Sequence, residues 1–280
     1  MIPSRAMATK ILCIAGPTAS GKSSRAVEEA LTRGGEIISV DSRQVYRGLD
    51  IGTEKISTGE MRGVQHHLID ILDPQENYSA GDFVQDATLL IEKISARGKL
   101  PILVGGTHFY FNALLSGLPT GVDANPKLRV ELEKLSTEEL YARVRAADAR
   151  RATEIDPLNR RRLIRALEII GARGKVPVRP QVAPAYDVEW NVIDPPREEL
   201  LARIDARLAS ALERGLIDEV HRVREEVDDT RLNELGLEYK IVGEYLRGER
   251  DKASLLPTLS AKLWQYARRQ KAWLRKLELN

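Results

Sequence analysis

The sequence predicts an α/β protein in which a parallel sheet is flanked by helices and carries a small all-helical inserted domain. Segments with the length and composition of buried strands occur at residues 11–15, 36–40 and 102–104, and a further strand is predicted at 186–193 from Val188, Trp190 and Val192. Helical patterns separate these segments, and alternation of strands with helices is typical of a parallel sheet. By contrast, residues 122–185 show an all-helical and basic pattern. We therefore predict a core at 1–121, an insertion at 122–185, and completion of the core with C-terminal helices at 186–280.

The first strand leads into a glycine-rich loop of the kind that binds phosphate. Residues 16–23 read GPTASGKS, a full match to G-x-x-x-x-G-K-[ST], and a helical pattern follows with Ala26, Val27, Ala30 and Leu31 on one side. Strand, loop and helix in this order form the context that the motif requires. The glycines let successive N–H groups point at a phosphate chain, beside the positive end of the helix dipole. The sequence thus predicts a P-loop NTPase-like fold that binds a diphosphate or triphosphate.

The second strand delivers an acidic residue to the edge of the sheet where ligands bind. Asp41 follows residues 36–40 directly, at the carboxyl end of that strand. Such a carboxylate either caps a helix or takes part in catalysis, and we favour catalysis because the strand directs it towards the phosphate loop. The next segment, 47–74, is loop-like. Its adjacent His66 and His67 lack a matching ligand cluster, which argues against a metal site.

Helix signals frame the third strand. Ser79 followed by Asp82 is typical of an N-cap and opens a helix that we expect to end near residue 97. The strand at 102–104 ends in Gly-Gly-Thr, without the acid that organises Mg2+ in many phosphate-loop ATPases, which counts against an ATP-driven motor. Thr107 offers a hydroxyl at the same edge, or else caps the helix predicted at 109–115.

Two segments concentrate the positive charge of a chain whose net charge is only +2. Residues 143–179 hold eleven Lys/Arg against four Asp/Glu, and residues 262–276 hold six basic residues and no acidic one. Within the first segment, Asp156-Pro157 predicts a helix start. Arg161 and Arg165 lie one turn apart, away from an apolar stripe of Leu163, Leu167 and Ile170. The two segments indicate either solvated helix faces or surfaces for a polyanion such as nucleic acid.

The last part of the chain resumes the core. A strand at 186–193 precedes Pro195-Pro196, and helices are predicted at about 197–214, 216–227, 237–247 and 253–274. Trp264, Tyr266 and Trp273 lie among the basic residues of the final helix. Aromatic residues interleaved with cations either stack on bases or pack against neighbouring helices.

Composition indicates a soluble globular protein of the cytoplasm. Of 280 residues, 42% are hydrophobic and 30% charged, and no apolar run reaches the length of a membrane span. The first residues lack the apolar core of a signal peptide. The single cysteine, Cys13, excludes an internal disulfide and fits a reducing compartment.

Several stretches resemble one family, the tRNA dimethylallyltransferases, also called isopentenyl-tRNA transferases. The resemblance is carried by GPTASGKS at 16–23, DSRQVY at 41–46, DIGTEK at 50–55, VGGTHFY at 104–110 and NRRRLIRALE at 159–168. HHLID at 66–70, YSAGDF at 78–83 and RRQKAWL at 268–274 are also similar. Together these stretches span nearly the whole chain, and their combination is far more specific than the phosphate loop alone.

The resemblance implies a reaction, its partners and its residues. Members of this family use Mg2+ and transfer a dimethylallyl group from dimethylallyl diphosphate to the N6 amine of the adenosine 3′ of the anticodon in certain tRNAs. The resemblance makes Asp41 the general base and places Thr107 at the reacting centre. It assigns the diphosphate to Gly16, Pro17, Thr18, Ala19, Ser20, Gly21, Lys22 and Ser23, with Ser23 also a metal ligand. It assigns tRNA binding to Asp41, Ser42, Arg43, Gln44, Arg161, Arg162, Leu163, Ile164 and Arg165.

The chain departs from the family pattern in two respects. Eukaryotic members commonly add a Cys/His zinc finger, which a single cysteine excludes, so we expect a bacterial-type enzyme that acts as a monomer. The stretch LGLEYK at 235–240 lacks the Gly-Tyr pairing common in the family, which leaves further diphosphate ligands there unassigned.

Three other functions fit parts of the sequence. A phosphate-loop small-molecule kinase also places an acid after its second strand, and its arginine-rich insertion is a lid over ATP. A prenyltransferase acting on free adenine nucleotides would not need the basic insertion. A nucleotide-switched RNA-binding module is the third alternative. A phosphate loop usually indicates ATP or GTP binding, but we predict that this loop holds an isoprenoid diphosphate and that no ATP is consumed.

Overall fold

The architecture is a five-stranded parallel sheet covered by helices. The computed structural model describes residues 8–118, 122, 124–178 and 186–277, apart from the side chains of 276 and 277. The strands are β1 (Thr9–Ala15), β2 (Gly35–Val40), β3 (His66–His67), β4 (Leu100–Gly105) and β5 (Tyr186–Val192), in the spatial order β3-β2-β4-β1-β5. Every pairing is parallel, which confirms the predicted fold class. Only β3 was not predicted. It consists of His66 and His67, which pair with Ile37 and Ile38 of β2. Two residues are too few to show a hydrophobic pattern from which a strand could be predicted.

The helices include every one that was predicted and two short ones that were not, at 58–61 in the segment expected to be loop-like and at 229–234. They are α1 (Lys22–Arg33), α2 (Thr58–Met61), α3 (Ala80–Ala96), α4 (His108–Ser116), α5 (Pro126–Glu133), α6 (Thr137–Ala147), α7 (Ala149–Glu154), α8 (Arg160–Arg173), α9 (Arg197–Glu213), α10 (Leu216–Glu226), α11 (Asp229–Glu234), α12 (Leu237–Leu246) and α13 (Leu255–Leu277). A 3-10 turn, Lys252–Ser254, precedes α13.

Side-chain caps mark the starts of several helices, including α3 and α8, and one predicted start was wrong. α3 begins with the expected capping box between Ser79 and Asp82. α8, however, begins at Asn159, whose side chain accepts from Arg162 N at 3.1 Å, and not at Asp156. Asp156 Oδ1 instead accepts from Leu158 N at 3.0 Å and forms a separate turn. A short polar side chain serves a turn as readily as a cap, and the sequence does not distinguish the two.

The chain divides into two compact units, Met1–Leu115 with Pro184–Asn280, and Ser116–Ala183. The boundaries predicted from the sequence, 121/122 and 185/186, each include a residue outside the described ranges. In the first unit both faces of the sheet are covered, so Ile11 and Cys13 on one face and Ile14 and Ile102 on the other are fully buried. The second unit packs α5 to α8 around its own core, with Leu140, Val144 and Leu163 at its centre. Among the described helices, none combines the length and the apolarity needed to cross a membrane.

Candidate active site

A cleft of about 960 Å³ opens at the carboxyl edge of the sheet. The loops after β1, β2 and β4 line it, together with residues of α9, α12 and α13 from the last third of the chain. Side chains that follow parallel strands meet at this edge, which is where open α/β sheets bind ligands. The cleft therefore brings together the phosphate loop, the Asp41 segment and the Gly105-Gly106 turn, as the sequence predicted.

The phosphate loop is curled around the ammonium group of Lys22. Lys22 Nζ donates to the Pro17 carbonyl at 3.1 Å, and the backbone turns through left-handed conformations at Ala19 (φ 60°) and Gly21 (φ 85°). Gly16 must be a glycine, because a Cβ there would lie 2.8 Å from the carbonyl oxygen of Ile193. Ser20 Oγ is buried and has no hydrogen-bond partner among the described residues. The loop is therefore shaped for an anion that supplies acceptors.

Burial and neighbouring charges shift the pKa values of three ionisable groups in the cleft. Burial lowers the pKa of Lys22 from 10.5 to about 8, an effect that the nearby Asp41 carboxylate opposes and Arg207 reinforces. Burial raises the pKa of Glu238, although Arg207 lies 3.2 Å from its carboxylate. The pKa of Tyr266 is also raised, first by burial and then by Asp41. Because Lys22 is already largely desolvated, the binding of an anion beside it would cost little further desolvation.

The segment after β2 forms a tight turn around Asp41. Asp41 Oδ1 accepts from the N–H groups of Arg43 (2.8 Å) and Gln44 (3.2 Å). Thr107 Oγ1 accepts from Ser42 N at 3.3 Å, so its hydroxyl contacts the Asp41 turn from the end of β4. Gln44 Nε2 donates to the carbonyl of Thr53 at 3.2 Å. The two residues predicted to be catalytic, Asp41 and Thr107, therefore belong to one hydrogen-bonded turn.

Arginines of α9 also enter the cleft, and sequence reasoning missed them. Arg203 Nη1 donates to the Ser20 carbonyl at 3.1 Å, and Arg207 Nη1 donates to the Thr18 hydroxyl. Both also pair with acids: Arg203 with Glu199, and Arg207 with Glu54 and Glu238. Their spacing of four residues places them on one face of a helix, and that spacing was the only available signal. Which face lines the cleft is decided by the packing of α9.

Gln270 of α13 was also missed, although it ties the loop to the sheet. Its Oε1 accepts from Thr18 N at 2.9 Å, and its Nε2 donates to the Gly106 carbonyl at 2.9 Å. The side chain is only 3% exposed. It lies in the sequence RRQKAWL at 268–274, whose positive charge, and not its glutamine, was interpreted from the sequence. Gln270 therefore fixes the Thr18 amide of the phosphate loop, and the Ser20 amide donates within the loop, to the Pro17 carbonyl at 3.3 Å.

The predicted tRNA-binding residues of α8 divide into three groups. Arg161 and Arg162 are exposed, and in the described part of the chain no acid pairs with them. Leu163 (0% exposed) and Ile164 (4%) are buried in the core of the helical unit, so their side chains support α8 and do not reach a ligand. Arg165 is half-buried. Its Nη1 lies 3.1 Å from Glu168, and its Nη2 donates to the Val122 carbonyl at 2.5 Å.

The long α13 exposes cations and packs its aromatic residues inward. Lys262, Arg268, Arg269 and Arg275 are exposed. Lys262 and Arg269 lie seven residues apart, as do Arg268 and Arg275, so the four cations form two pairs on different sides of the helix. Trp273 stacks on Phe111 with ring centroids 5.9 Å apart, and Trp264 lies under the Arg197 guanidinium at 5.7 Å. Of the two alternatives for the aromatics, packing is therefore the one observed for both tryptophans.

A magnesium ion is compatible with the donors that line the cleft. Within the described ranges, no group of three or more His, Cys, Asp or Glu side chains is arranged to hold a metal, and this includes His66 and His67. Ser23 lines the cleft, and its hydroxyl makes no hydrogen bond to the described residues. Mg2+ commonly takes one or two protein oxygens and completes its shell with water and substrate phosphates. The donor set fits that mode of binding.

Comparison with known proteins gives one consistent result. The family model described as IPP transferase matches residues 44–277. A tRNA dimethylallyltransferase of Thermomicrobium roseum is 41% identical over 96% of this chain and 84% of its own length. The full-length tRNA isopentenylpyrophosphate transferase of Bacillus halodurans superposes with a TM-score of 0.72 at 39% identity, covering 95% of this chain and 87% of that one. A eukaryotic dimethylallyltransferase acting on tRNA gives a TM-score of 0.83 at 30% identity, covering 95% and 70%.

Proposed function

The chain belongs to the IPP transferase family, and we propose that it transfers a dimethylallyl group from dimethylallyl diphosphate to the N6 amine of the adenosine 3′ of the anticodon in tRNA. Similarity to tRNA-modifying enzymes over nearly the whole chain favours this reaction over a kinase or a prenyltransferase of free nucleotides. The observation that carries the proposal within this chain is the shared cleft. A phosphate-binding loop and the Asp41 carboxylate of the adjacent strand line the same cavity.

The diphosphate is bound by the loop from Gly16 to Ser23. The loop amides and Lys22 neutralise its charge, and Arg203 and Arg207 approach the same loop from α9. Ser23 would hold Mg2+, which when bound adds positive charge where negative charge develops on the leaving group. These contacts recognise phosphates and do not select an adenine. We therefore propose that the reaction consumes no ATP.

In the transfer step, N6 of adenosine attacks the first carbon of the allylic group. The N–C bond forms as the C–O bond to diphosphate breaks, and the electron pair of that bond leaves with the diphosphate. Asp41 accepts the proton that N6 loses. Its Oδ1 is held by two backbone amides, whereas its Oδ2 accepts no hydrogen bond from the described residues. The Thr107 hydroxyl accepts from Ser42 N of the same turn and donates no hydrogen bond to the described residues, and we assign its O–H to the substrate.

Catalysis depends here on position and charge. An exocyclic adenine amine is a poor nucleophile, so holding it against the allylic carbon and stabilising the leaving diphosphate supply most of the rate. The adenine must leave its stack to reach Asp41, which costs less in a single-stranded loop than in a duplex. A tRNA anticodon loop meets that requirement.

Surface charge supports the assignment of the residues that bind tRNA. We assign tRNA binding to Asp41, Ser42, Arg43 and Gln44 in the cleft, to Arg161 and Arg162 with Arg165 supporting them, and to the exposed cations of α13. Arginine and lysine side chains without acidic partners are free to bind phosphates. Cytoplasmic location and action as a monomer complete the proposal, and the single buried cysteine supports a reducing compartment.

One assay tests the reaction. The enzyme is incubated with Mg2+, bulk tRNA and radiolabelled dimethylallyl diphosphate in the absence of nucleotide, and the tRNA is then digested to nucleosides. We expect label in N6-dimethylallyladenosine and one pyrophosphate released per group transferred. An absolute requirement for ATP, or transfer of phosphate from ATP to a small molecule, would favour the kinase. Label in free adenine nucleotides but not in tRNA would favour the other prenyltransferase.

A further inference from the structure

A buried carboxylate of α10 holds the loop that closes one side of the cleft. Glu219 is 1% exposed and lies outside the cleft lining. It accepts four hydrogen bonds, from the backbone N–H groups of Asp50 (3.0 Å), Ile51 (2.7 Å) and Gly52 (2.9 Å) and from the hydroxyl of Tyr239 (2.7 Å). Three consecutive amides directed at one carboxylate fix the backbone of residues 50–52. We name these residues the amide loop.

Tyr239 presses the amide loop from the other side. A Cβ at position 52 would lie 2.9 Å from the Tyr239 ring, so only glycine fits there. The Tyr239 hydroxyl donates to the same Glu219 oxygen that accepts from Gly52 N. Burial raises the pKa of Tyr239 well above its usual value, which keeps that hydroxyl a donor. Glu219, Tyr239 and Gly52 therefore form one close-packed contact.

The amide loop and the two residues after it contact both ends of the cleft. The Gly52 carbonyl accepts from Arg207 Nη2 at 3.1 Å, and Arg207 in turn donates to the Thr18 hydroxyl of the phosphate loop. The Thr53 carbonyl accepts from Gln44 Nε2 at 3.2 Å, beside Asp41. A shift of the amide loop would therefore displace the residue on the diphosphate side and the residue on the target-base side together.

We propose that Glu219 is a positioning residue for the transfer reaction, acting through the amide loop on Arg207 and Gln44. This inference rests on the function proposed above. Glu219 touches neither substrate, and its effect is to hold two substrate-facing side chains in their working orientations. A site of this kind loses affinity when its supporting contacts loosen, even though the residues that face the substrate are unchanged.

The test is the substitution Glu219→Gln. A glutamine keeps the size of the side chain but replaces one acceptor oxygen by an NH2 donor, which then faces N–H groups of the amide loop. We measure KM for dimethylallyl diphosphate and for tRNA, kcat, and the Kd of inorganic pyrophosphate by calorimetry, all well below the Tm of the variant. We expect both KM values and the pyrophosphate Kd to rise about tenfold, with a smaller change in kcat.

Matched controls separate positioning from stability and from charge. Glu225→Gln removes an exposed carboxylate from the same helix and should leave every parameter unchanged, since among the described residues Glu225 pairs with His221 alone, at 3.6 Å. Tyr239→Phe keeps the ring and the three amide bonds, so its effect should lie between the wild type and Glu219→Gln. If Glu219→Gln does not fold, Gly52→Ala disturbs the same contact from the loop side and should produce the same rise.

The outcomes are distinct. A folded Glu219→Gln enzyme, or a folded Gly52→Ala enzyme in its place, with wild-type KM values and pyrophosphate Kd and only a lower Tm would show that the contact is merely structural and would overturn the inference. If the wild-type enzyme transfers no dimethylallyl group to tRNA, the proposed function fails. The pyrophosphate Kd then still decides whether Glu219 orders the phosphate side of the cleft.

Discussion

Raising the pH should weaken diphosphate binding because Lys22 loses its proton near pH 8. Burial lowers the pKa of this ammonium group from 10.5 to about 8 in the ligand-free protein, with Asp41 opposing the shift and Arg207 reinforcing it. A bound diphosphate adds negative charge beside Lys22 and raises its pKa again, so binding above pH 8 takes up a proton. Affinity is therefore retained below pH 8 and declines as the pH rises above it.

The magnitude follows from the fraction of Lys22 that carries a proton. With a pKa of about 8, roughly nine tenths of the molecules are protonated at pH 7 and roughly one tenth at pH 9. When only the protonated form binds, the apparent Kd scales with the inverse of that fraction. The Kd for inorganic pyrophosphate should thus rise about tenfold between pH 7 and pH 9.

Calorimetry without divalent cations measures this effect, and Lys22→Arg provides the control. Arginine stays charged throughout this range, so its affinity should vary with pH only as far as the ligand itself titrates. The wild type at pH 9 should also take up close to one proton more than the variant, measured from the heats in buffers of different ionisation enthalpy. A wild-type Kd that stays constant from pH 7 to pH 9, or a variant that weakens in parallel, would refute the assigned role of Lys22.

Three further substitutions test the other assignments. Asp41→Asn retains an oxygen that accepts from the amides of its turn, so pyrophosphate binding should persist. The rate of transfer in single-turnover assays should fall about 10²–10⁴-fold, and a rate within about threefold of the wild type would contradict a general base. Replacing Arg161 and Arg162 with alanine should reduce the slope of log K for tRNA against log salt by about two units, without changing the pyrophosphate Kd. Glu168→Gln should lower the free energy of unfolding by about 2 kcal/mol in urea, because this buried carboxylate accepts from Arg129 and Arg165, whereas the exposed Glu131→Gln should change it by less than about 0.5 kcal/mol.

The tRNA test uses Arg161 and Arg162, and not Arg165, for a structural reason. The sequence places Arg161 and Arg165 one turn apart, which suggests a common surface. In the structure Arg165 is committed to Glu168 and to the Val122 carbonyl, so its removal would disturb the helical unit itself. A loss of tRNA affinity in an Arg165 variant would therefore mix binding with stability.

The sequence by itself determined the sheet, the phosphate loop and the ends of its strands. The apolar segments at 11–15 and 102–104, and the largely apolar EIISV at 36–40, became β1, β4 and β2 because strands covered on both faces are built mainly from apolar residues. The motif at 16–23 predicted a loop conformation because all of its determinants, the two glycines, the lysine and the start of the next helix, lie within eight residues. Local rules of this kind need no knowledge of the rest of the fold.

Helix patterns near the surface were less certain guides. Leu31 lies on the apolar side of α1 by spacing, yet it is 46% exposed, whereas Ala26, Val27 and Ala30 are buried. The width of the buried stripe depends on which neighbour covers the helix, and spacing does not contain that information.

Tertiary structure alone decided which distant side chains complete the cleft. Arg207, Glu219 and Gln270 belong to three different helices, and each contacts a loop that lies more than 150 residues away in the chain. In the sequence they are an arginine, a glutamate and a glutamine within amphipathic helices, and such residues usually face solvent. The packing of α9, α10 and α13 against the sheet turns these three side chains inward. Hydrogen bonds to the phosphate loop and to the amide loop then supply partners for the carboxylate of Glu219, the amide of Gln270 and the Nη atoms of Arg207, as buried polar groups require. Arg207 Nε makes no hydrogen bond to the described residues and lies 3.3 Å from the Glu54 carboxylate.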